Sequence, residues 1–326
     1  MDRSEQIAFF NRLKEAMPND SLAQELSEIL KLSLDSIYRR FRGESALTYG
    51  ELLHIQEALN LKQSILFPTE HIEEVNFIYA RPAYGNDMKI FLQEIADQMS
   101  LAHRKEELNV SLASDDLPFF MHFLTPELLN FKLHVFSNTP IVPDSHEQEG
   151  SSEMQQLFST ILVRWLEASS DEVWGSAPLD STLKQVEYCV ANKLISKNHA
   201  AALFREMDTL IEIINEWTRT GKKTAGPIGG GPIRIYHSEL NVGEMNLMLR
   251  FGEEYSVYKS NYGYGYLRTE HPLFCQETNN WIQEMENKSI LITGSGEKYR
   301  VRYIDMLKNS VRQSAQKIGL DVALTR

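Results

Sequence analysis

SLAQELSEILKLSLDSIYRRFRGESALTYGELLHIQEALNL, residues Ser21 to Leu61, decides the N-terminal fold. Leu22, Leu26, Ile29 and Leu30 recur at helical intervals, and Ser21 stands in front of them as an N-cap, which predicts a short amphipathic helix. Leu32-Ser33 reads as the turn that follows, with Ser33 placed to cap a second helix. In that helix Ile37 and Phe41, one turn apart, form the inner face. Asp35, Ser36, Arg39, Arg40 and Arg42 occupy the other faces, and Gly43 ends the helix. TYGELLHIQEALNL predicts a further helix, capped by Thr48 and packing Leu52, Leu53, Ile55, Leu59 and Leu61. Upstream, SEQIAFFNRLKEA (4–16) is a first helix with Ile7, Phe9, Phe10 and Leu13 for the core, and Pro18-Asn19-Asp20 breaks it.

Leu26, Leu30, Leu32-Ser33, Ile37 and Gly43, followed by the fourth helix, carry a resemblance to the Cro-repressor-type (XRE-like) helix-turn-helix. The run DSIYRRFRGE is similar to the recognition helix of the BetR-like bacterial regulators within that group. The resemblance covers residues 4–62. Two positions depart from the pattern: Ser27 replaces a small alanine where the helices cross, and Lys31 replaces the glycine of the turn, where a left-handed backbone is often needed. The resemblance implies binding of double-stranded DNA, with the helix 34–43 in the major groove. Ser33, Asp35 and Ser36 then approach base edges or nearby phosphates. Arg39 suits a guanine, because its forked donors match O6 and N7. Lys31, Arg40 and Arg42 grip phosphates and set register, and Tyr38 fits either a contact role or partial burial.

The chain has 326 residues and a net charge of −12, more length than one domain usually needs. The acidity argues against a nonspecific nucleic-acid coat. Residues 1–70 hold 8 Lys/Arg and 11 Asp/Glu, a net of −3, yet Lys31 to Gly43 carries four basic residues against Asp35. The remaining 256 residues carry −9. An acidic body with a small basic head predicts modest nonspecific affinity, since backbone neutralisation supplies most of that binding. Cys189 and Cys275 stand alone and far apart, as buried thiols of a reducing compartment do. MDRSEQIAFF has no signal-peptide pattern, and no apolar run nears the ~20 residues of a membrane span. The expectation is a cytoplasmic protein.

The expected fold is an all-α helix-turn-helix domain (1–67), a connector (68–85) and an α+β region (86–326) with a C-terminal antiparallel sheet. A long helix from Asn86 presents Ile90, Phe91, Ile95, Met99 and Leu101, and serves either as a dimer helix or as a spine. Leu108 to Ala113 suits a strand, and LPFFMHFLTPELLNFKLHVF turns helical after Thr125-Pro126. A polar loop spans 140–153, and helices follow at 152–168, 179–193 and 197–220. TGKKTAGPIGGGPI (220–233) reads as a flexible glycine-rich loop and a seam between a helical and a sheet-containing part. IRIYHSEL, EMNLMLRF, YSVYKS and YGYGYLRT then alternate with period two and predict an antiparallel meander. The helix HPLFCQETNNWIQEMENK, the strand SILITG and a final helix close the chain. This tail resembles small-molecule sensor folds such as GAF or PAS at the level of architecture only.

No catalytic motif emerges, and the chain reads as a non-enzyme without a cofactor. GPIGGGP has proline where a dinucleotide-binding helix should open. Gly221-Lys222-Lys223-Thr224 lacks the earlier glycine of a phosphate loop, since position 216 is Glu216. Gly294-Ser295-Gly296 lacks nucleophile-elbow spacing. The nine histidines are scattered, without zinc-site spacing. His122 and His134 read as hydrogen-bonded core residues. Tyr262, Tyr264 and Tyr266 alternate, which puts them on one face of a strand either as a packed ladder or as an aromatic wall for a ligand, with Trp281 facing it from the next helix. The expected molecule is a one-component transcription regulator, a homodimer with an unidentified small-molecule effector. The alternative is an adaptor that docks another protein on its helical head.

Overall fold

The computed structural model describes residues 2–17, 21–61, 74–80, 86–104, 108–136, 152–261, 265–294 and 296–321. The break at Pro18-Asn19-Asp20, most of the expected connector and most of the 140–153 loop lie outside these residues. The chain divides into two compact units, Met1–Val75 and Asn76–Arg326.

The first unit is helical: α1 (Arg3–Ala16), α2 (Leu22–Leu30), α3 (Leu34–Phe41) and α4 (Tyr49–Leu59). Asp2 and Glu5 form a capping box at α1, and Thr48 and Glu51 form another at α4. Ser21 occupies the N-cap position of α2, but its side chain makes no capping hydrogen bond. Its carbonyl accepts from the N–H groups of Gln24 and Glu25. Phe9, Phe10, Leu13, Leu22, Leu26, Ile37, Leu52 and Ile55 fill one core, which the helical spacing of these residues dictates.

The second unit is built on one nine-stranded sheet: β1 (Ile78–Ala80), β2 (Leu108–Ser114), β3 (Ser169–Trp174), β4 (Lys222–Ala225), β5 (Ile228–His237), β6 (Asn246–Phe251), β7 (Glu254–Ser260), β8 (Tyr266–Thr269) and β9 (Ile290–Leu291). Its order is β1-β8-β7-β6-β2-β3-β5-β4, with β9 also on β5. Among the described residues these helices accompany it: α5 (Asn86–Arg104), α6 (Phe119–His122), α7 (Pro126–Phe136), α8 (Ser152–Glu167), α9 (Asp180–Ala191), α10 (Lys197–Thr220) and α11 (Pro272–Asn287). A further one, α12 (Glu297–Lys317), ends the described chain. Alternation along the strands splits the core. Val110, Leu112, Trp174, Ile235, Leu247 and Tyr258 join the larger cluster with α5, α8, α10 and α12. Ala113, Val173, Met248 and Val257 face the other way, onto Cys275, Ile282 and Met285 of α11.

Several expectations are corrected. The sheet is mixed, not antiparallel: β2, β3 and β5 run parallel at its centre. That also separates it from an antiparallel sensor sheet. Only β6, β7 and β8 form the meander, because β2 takes the edge of β6 that β5 was expected to fill. Residues 78–80, read as connector, are a strand paired to β8. SSDEVW is a strand hidden by its polarity. Ser170 and Glu172 are 2% and 0% exposed, and each is satisfied inside: Lys223 donates to Ser170 at 2.9 Å, and the Trp165 and Trp174 indoles donate to Glu172. The glycine-rich stretch is the β4–β5 hairpin within the same sheet, neither flexible loop nor seam. A Cβ on Gly231 would lie 2.2 Å from the Ala168 carbonyl oxygen and 2.6 Å from that of Glu167, so glycine there permits close backbone approach. On α5, Leu92, Ile95, Ala96 and Met99 are buried, whereas Ile90 is 66% exposed.

Candidate nucleic-acid interface

The turn between α2 and α3 takes the left-handed backbone that its position demands. Lys31 sits at φ 53°, ψ 43°, a conformation that costs a side-chain-bearing residue about 1 kcal/mol. Two bonds offset this: the Leu32 N–H donates to the Ser27 carbonyl at 3.1 Å, and the Ser27 hydroxyl donates to the Leu32 carbonyl. The serine at the helix crossing therefore has a use that alanine lacks. Ser33 caps α3 by accepting from the Ser36 N–H, and the two hydroxyls share a 2.9 Å bond. Gly43 closes the helix at φ +67°. The Gly43 N–H reaches the Arg40 carbonyl and the Glu44 N–H reaches the Arg39 carbonyl, which is a Schellman closure.

Ile37, 1% exposed, seats α3 in the core, and Phe41 packs its ring 4.8 Å from Phe10. Outward stand Lys31, Ser33, Asp35, Tyr38, Arg39 and Arg42, all exposed, with Ser36 half-buried. Tyr38 belongs to the outer face: it is 48% exposed and touches Phe41 edge-on. Leu34 beside it is 45% exposed.

Arg40 does not join this row. Its guanidinium turns onto Glu51 at 2.8 Å, with both side chains mostly covered, and donates to the Ser36 carbonyl at 3.2 Å. Glu51 also accepts from the Thr48 N–H at 2.8 Å. One carboxylate thus caps α4 and ties it to α3, and the expected phosphate grip of Arg40 is replaced by an internal clamp. Arg42 is exposed but pairs with Glu44 at 2.7 Å, and Arg39 lies 4.0 Å from the same carboxylate. Arg42 holds the Glu44 carboxyl below its usual range.

Gln6 supports the far end of α3. It is 2% exposed, donates to the carbonyls of Arg40 (2.7 Å) and Ser45 (2.9 Å), and accepts from the Leu47 N–H (2.7 Å). Sequence reasoning missed it, although Gln6 shares the helical stripe of Phe9, Phe10 and Leu13. A polar residue inside an apolar stripe was the available signal.

The tyrosine constellation does not assemble as expected. Tyr262 and Tyr264 lie outside the described residues. Tyr266 is buried in the larger cluster, its ring tilted against that of Tyr258 at 5.5 Å, with its hydroxyl donating to Glu94. Trp281 packs with Phe274 in the cluster on the opposite sheet face, because alternation sends Tyr266 away from α11. His134 is buried and bonded through Nδ1 to the Asn130 carbonyl at 2.8 Å. His122 is equally buried, yet neither ring nitrogen has a hydrogen-bond partner. Among the described residues no His, Cys, Asp or Glu group could hold a metal ion, and no helix is long and apolar enough to cross a membrane. No protein-family model, no curated protein and no solved structure matches this chain.

Proposed function

We propose that the first unit binds duplex DNA and that the protein is a one-component transcription regulator, with α3 entering the major groove. The outward row of α3 carries this proposal. Ser33, Asp35, Ser36, Tyr38, Arg39 and Arg42 offer donors and acceptors in register along a helix whose inner face is fixed by Ile37. Arg39 reads a base edge. Arg42 and Lys31 contact phosphates, and binding displaces Glu44 from Arg42. Arg40 sets the angle between α3 and α4 and stays off the DNA. A head this small covers one half-site, so two copies bind as a two-fold pair with half-sites about 34 Å apart. No residue is assigned a catalytic role.

Mobility-shift titrations over a salt series test the roles. Arg39→Ala costs about 1–3 kcal/mol on the preferred duplex and relaxes preference at one base pair. Arg42→Ala weakens all duplexes evenly and lowers the salt slope by about 1. Equal losses for cognate and scrambled duplexes with Arg39→Ala would remove the base-reading role.

A second reading has its own support. Arg39 and Arg42 are already countered by Glu44, and Leu34, Tyr38 and Tyr49 are 45%, 48% and 73% exposed. Such a surface also suits a protein partner, with the head as a docking module. Binding that ignores duplex sequence and is insensitive to salt favours this reading.

A further inference from the structure

The second unit holds a cavity of ≈ 440 Å³ at the carboxyl end of β2, the place where open α/β sheets bind ligands. β2 has a parallel neighbour, β3, on one side and an antiparallel one, β6, on the other, so the chain leaves this edge in diverging directions. The wall is pre-formed. Asp115 accepts from the N–H groups of Val242 (3.0 Å) and Gly243 (2.9 Å), which pins the β5–β6 connection across the cavity.

Three features line it. Lys132 of α7 is 3% exposed, and its ammonium donates to Gln185 at 2.8 Å. His122 of α6 is 5% exposed, and neither ring nitrogen has a protein partner. Burial and the neighbouring Lys132 keep it neutral, with its pKa held well below the usual histidine value, so it offers one N–H and one lone pair. The first turn of α9 contributes Ser181 and Thr182 to the lining, and its N-cap residue, Leu179, has no side chain to accept from that turn. A buried cation, an unpartnered imidazole and the positive end of a 12-residue helix thus line one cavity. Leu117, Phe119, Leu247, Tyr258 and Tyr266 give the cavity its apolar and aromatic surface, and the carboxylates of Asp115, Asp116 and Glu244 line it as well. The surface of Asp116 is exposed, yet its carboxyl is partly desolvated, bonds to the Ser181 side chain and lies in the field of Lys132.

Burying a lysine and leaving an imidazole unpartnered both oppose folding. Neither belongs to the helical head, and neither is used by the sheet. We propose that this cavity binds a small organic anion, a carboxylate or a phosphate on an aromatic or similarly apolar body. Its charged group lies between Lys132, His122 and the first turn of α9, and its body lies on Phe119, Leu247 and Tyr258. The site stands independently of whether the first unit binds DNA.

Ligand-observed NMR and calorimetry on the full chain test it with four probes: benzoate, phenyl phosphate, neutral benzamide and cationic benzylamine. Benzoate or phenyl phosphate binds in the millimolar range expected of a fragment, and the tighter of the two identifies the anion. Benzamide and benzylamine bind at least ~10-fold more weakly, because the charge-assisted bonds are lost. Lys132→Met weakens the anion by a similar factor. Asp116→Asn removes the carboxylate that competes with the anion for Lys132 and tightens binding several-fold. Equal binding of benzoate and benzamide, unchanged affinity in a folded Lys132→Met, or no binding of either anion at millimolar concentration overturns the proposal. If Lys132→Met fails to fold, the benzamide comparison and Asp116→Asn decide: an Asp116→Asn chain that binds the anion no tighter counts against it.

Discussion

At the scale of single residues, two polar side chains decide how α3 is presented. Gln6 answers three main-chain groups around the end of that helix. Gln6→Leu keeps the shape and strands all three, so it should destabilise the first unit by about 2–4 kcal/mol. All four tryptophans lie at positions 165 and beyond, so indole fluorescence follows only the second unit, and the loss must be read from helical circular dichroism. A loss below about 1 kcal/mol would mean that water satisfies those groups instead. Glu44 acts in the opposite sense, since it occupies the cations that the proposed DNA contact needs. Glu44→Gln should raise affinity for every duplex a few-fold without changing preference, measured by mobility shift at fixed salt. Unchanged affinity would place Arg42 outside the phosphate contacts.

At the scale of elements, legibility followed where hydrogen bonds are made. The four described helices of the head could be read because their caps are local: Thr48 and Glu51 stand three residues apart, and Gly43 sits where a left-handed closure is required. The Arg40–Glu51 clamp could not, since it joins two helices whose angle no local pattern encodes. β3 failed for a related reason. Its inward polar residues are answered by Lys223 of β4 and by two indoles, so period-two hydrophobicity is absent. Around the proposed ligand cavity Tyr266 was singled out, but Lys132, Asp116 and His122 were not brought together, because α6, α7 and the end of β2 meet only through the parallel crossover.

The β3–β4 polar contact also has a pH signature. Burial pushes the Lys223 ammonium down to about 7, against the pull of Glu172 and Asp171. An unfolded chain keeps that proton to about pH 10.4. Between these values the unfolded state binds the extra proton, so this group makes stability rise with pH, by at most about 1.4 kcal/mol per unit. Below about 7 its cost is constant. Urea melts followed by tryptophan fluorescence should show wild type gaining on Lys223→Met as pH rises from about 7.5 to about 9.5. Parallel curves would mean that Lys223 stays charged when buried.

At the scale of the whole molecule, net charge −12 sits mostly outside the head. On the proposed function, nonspecific attraction to DNA is accordingly weak, and affinity has to come from base contacts made by paired heads. The most direct test is selection of the full chain against a random duplex library at near-physiological salt, in parallel with Arg39→Ala. The account predicts an enriched two-fold motif with half-sites about ten base pairs apart, one position of which relaxes in Arg39→Ala. Recovery of unenriched sequence by both proteins alike would contradict it.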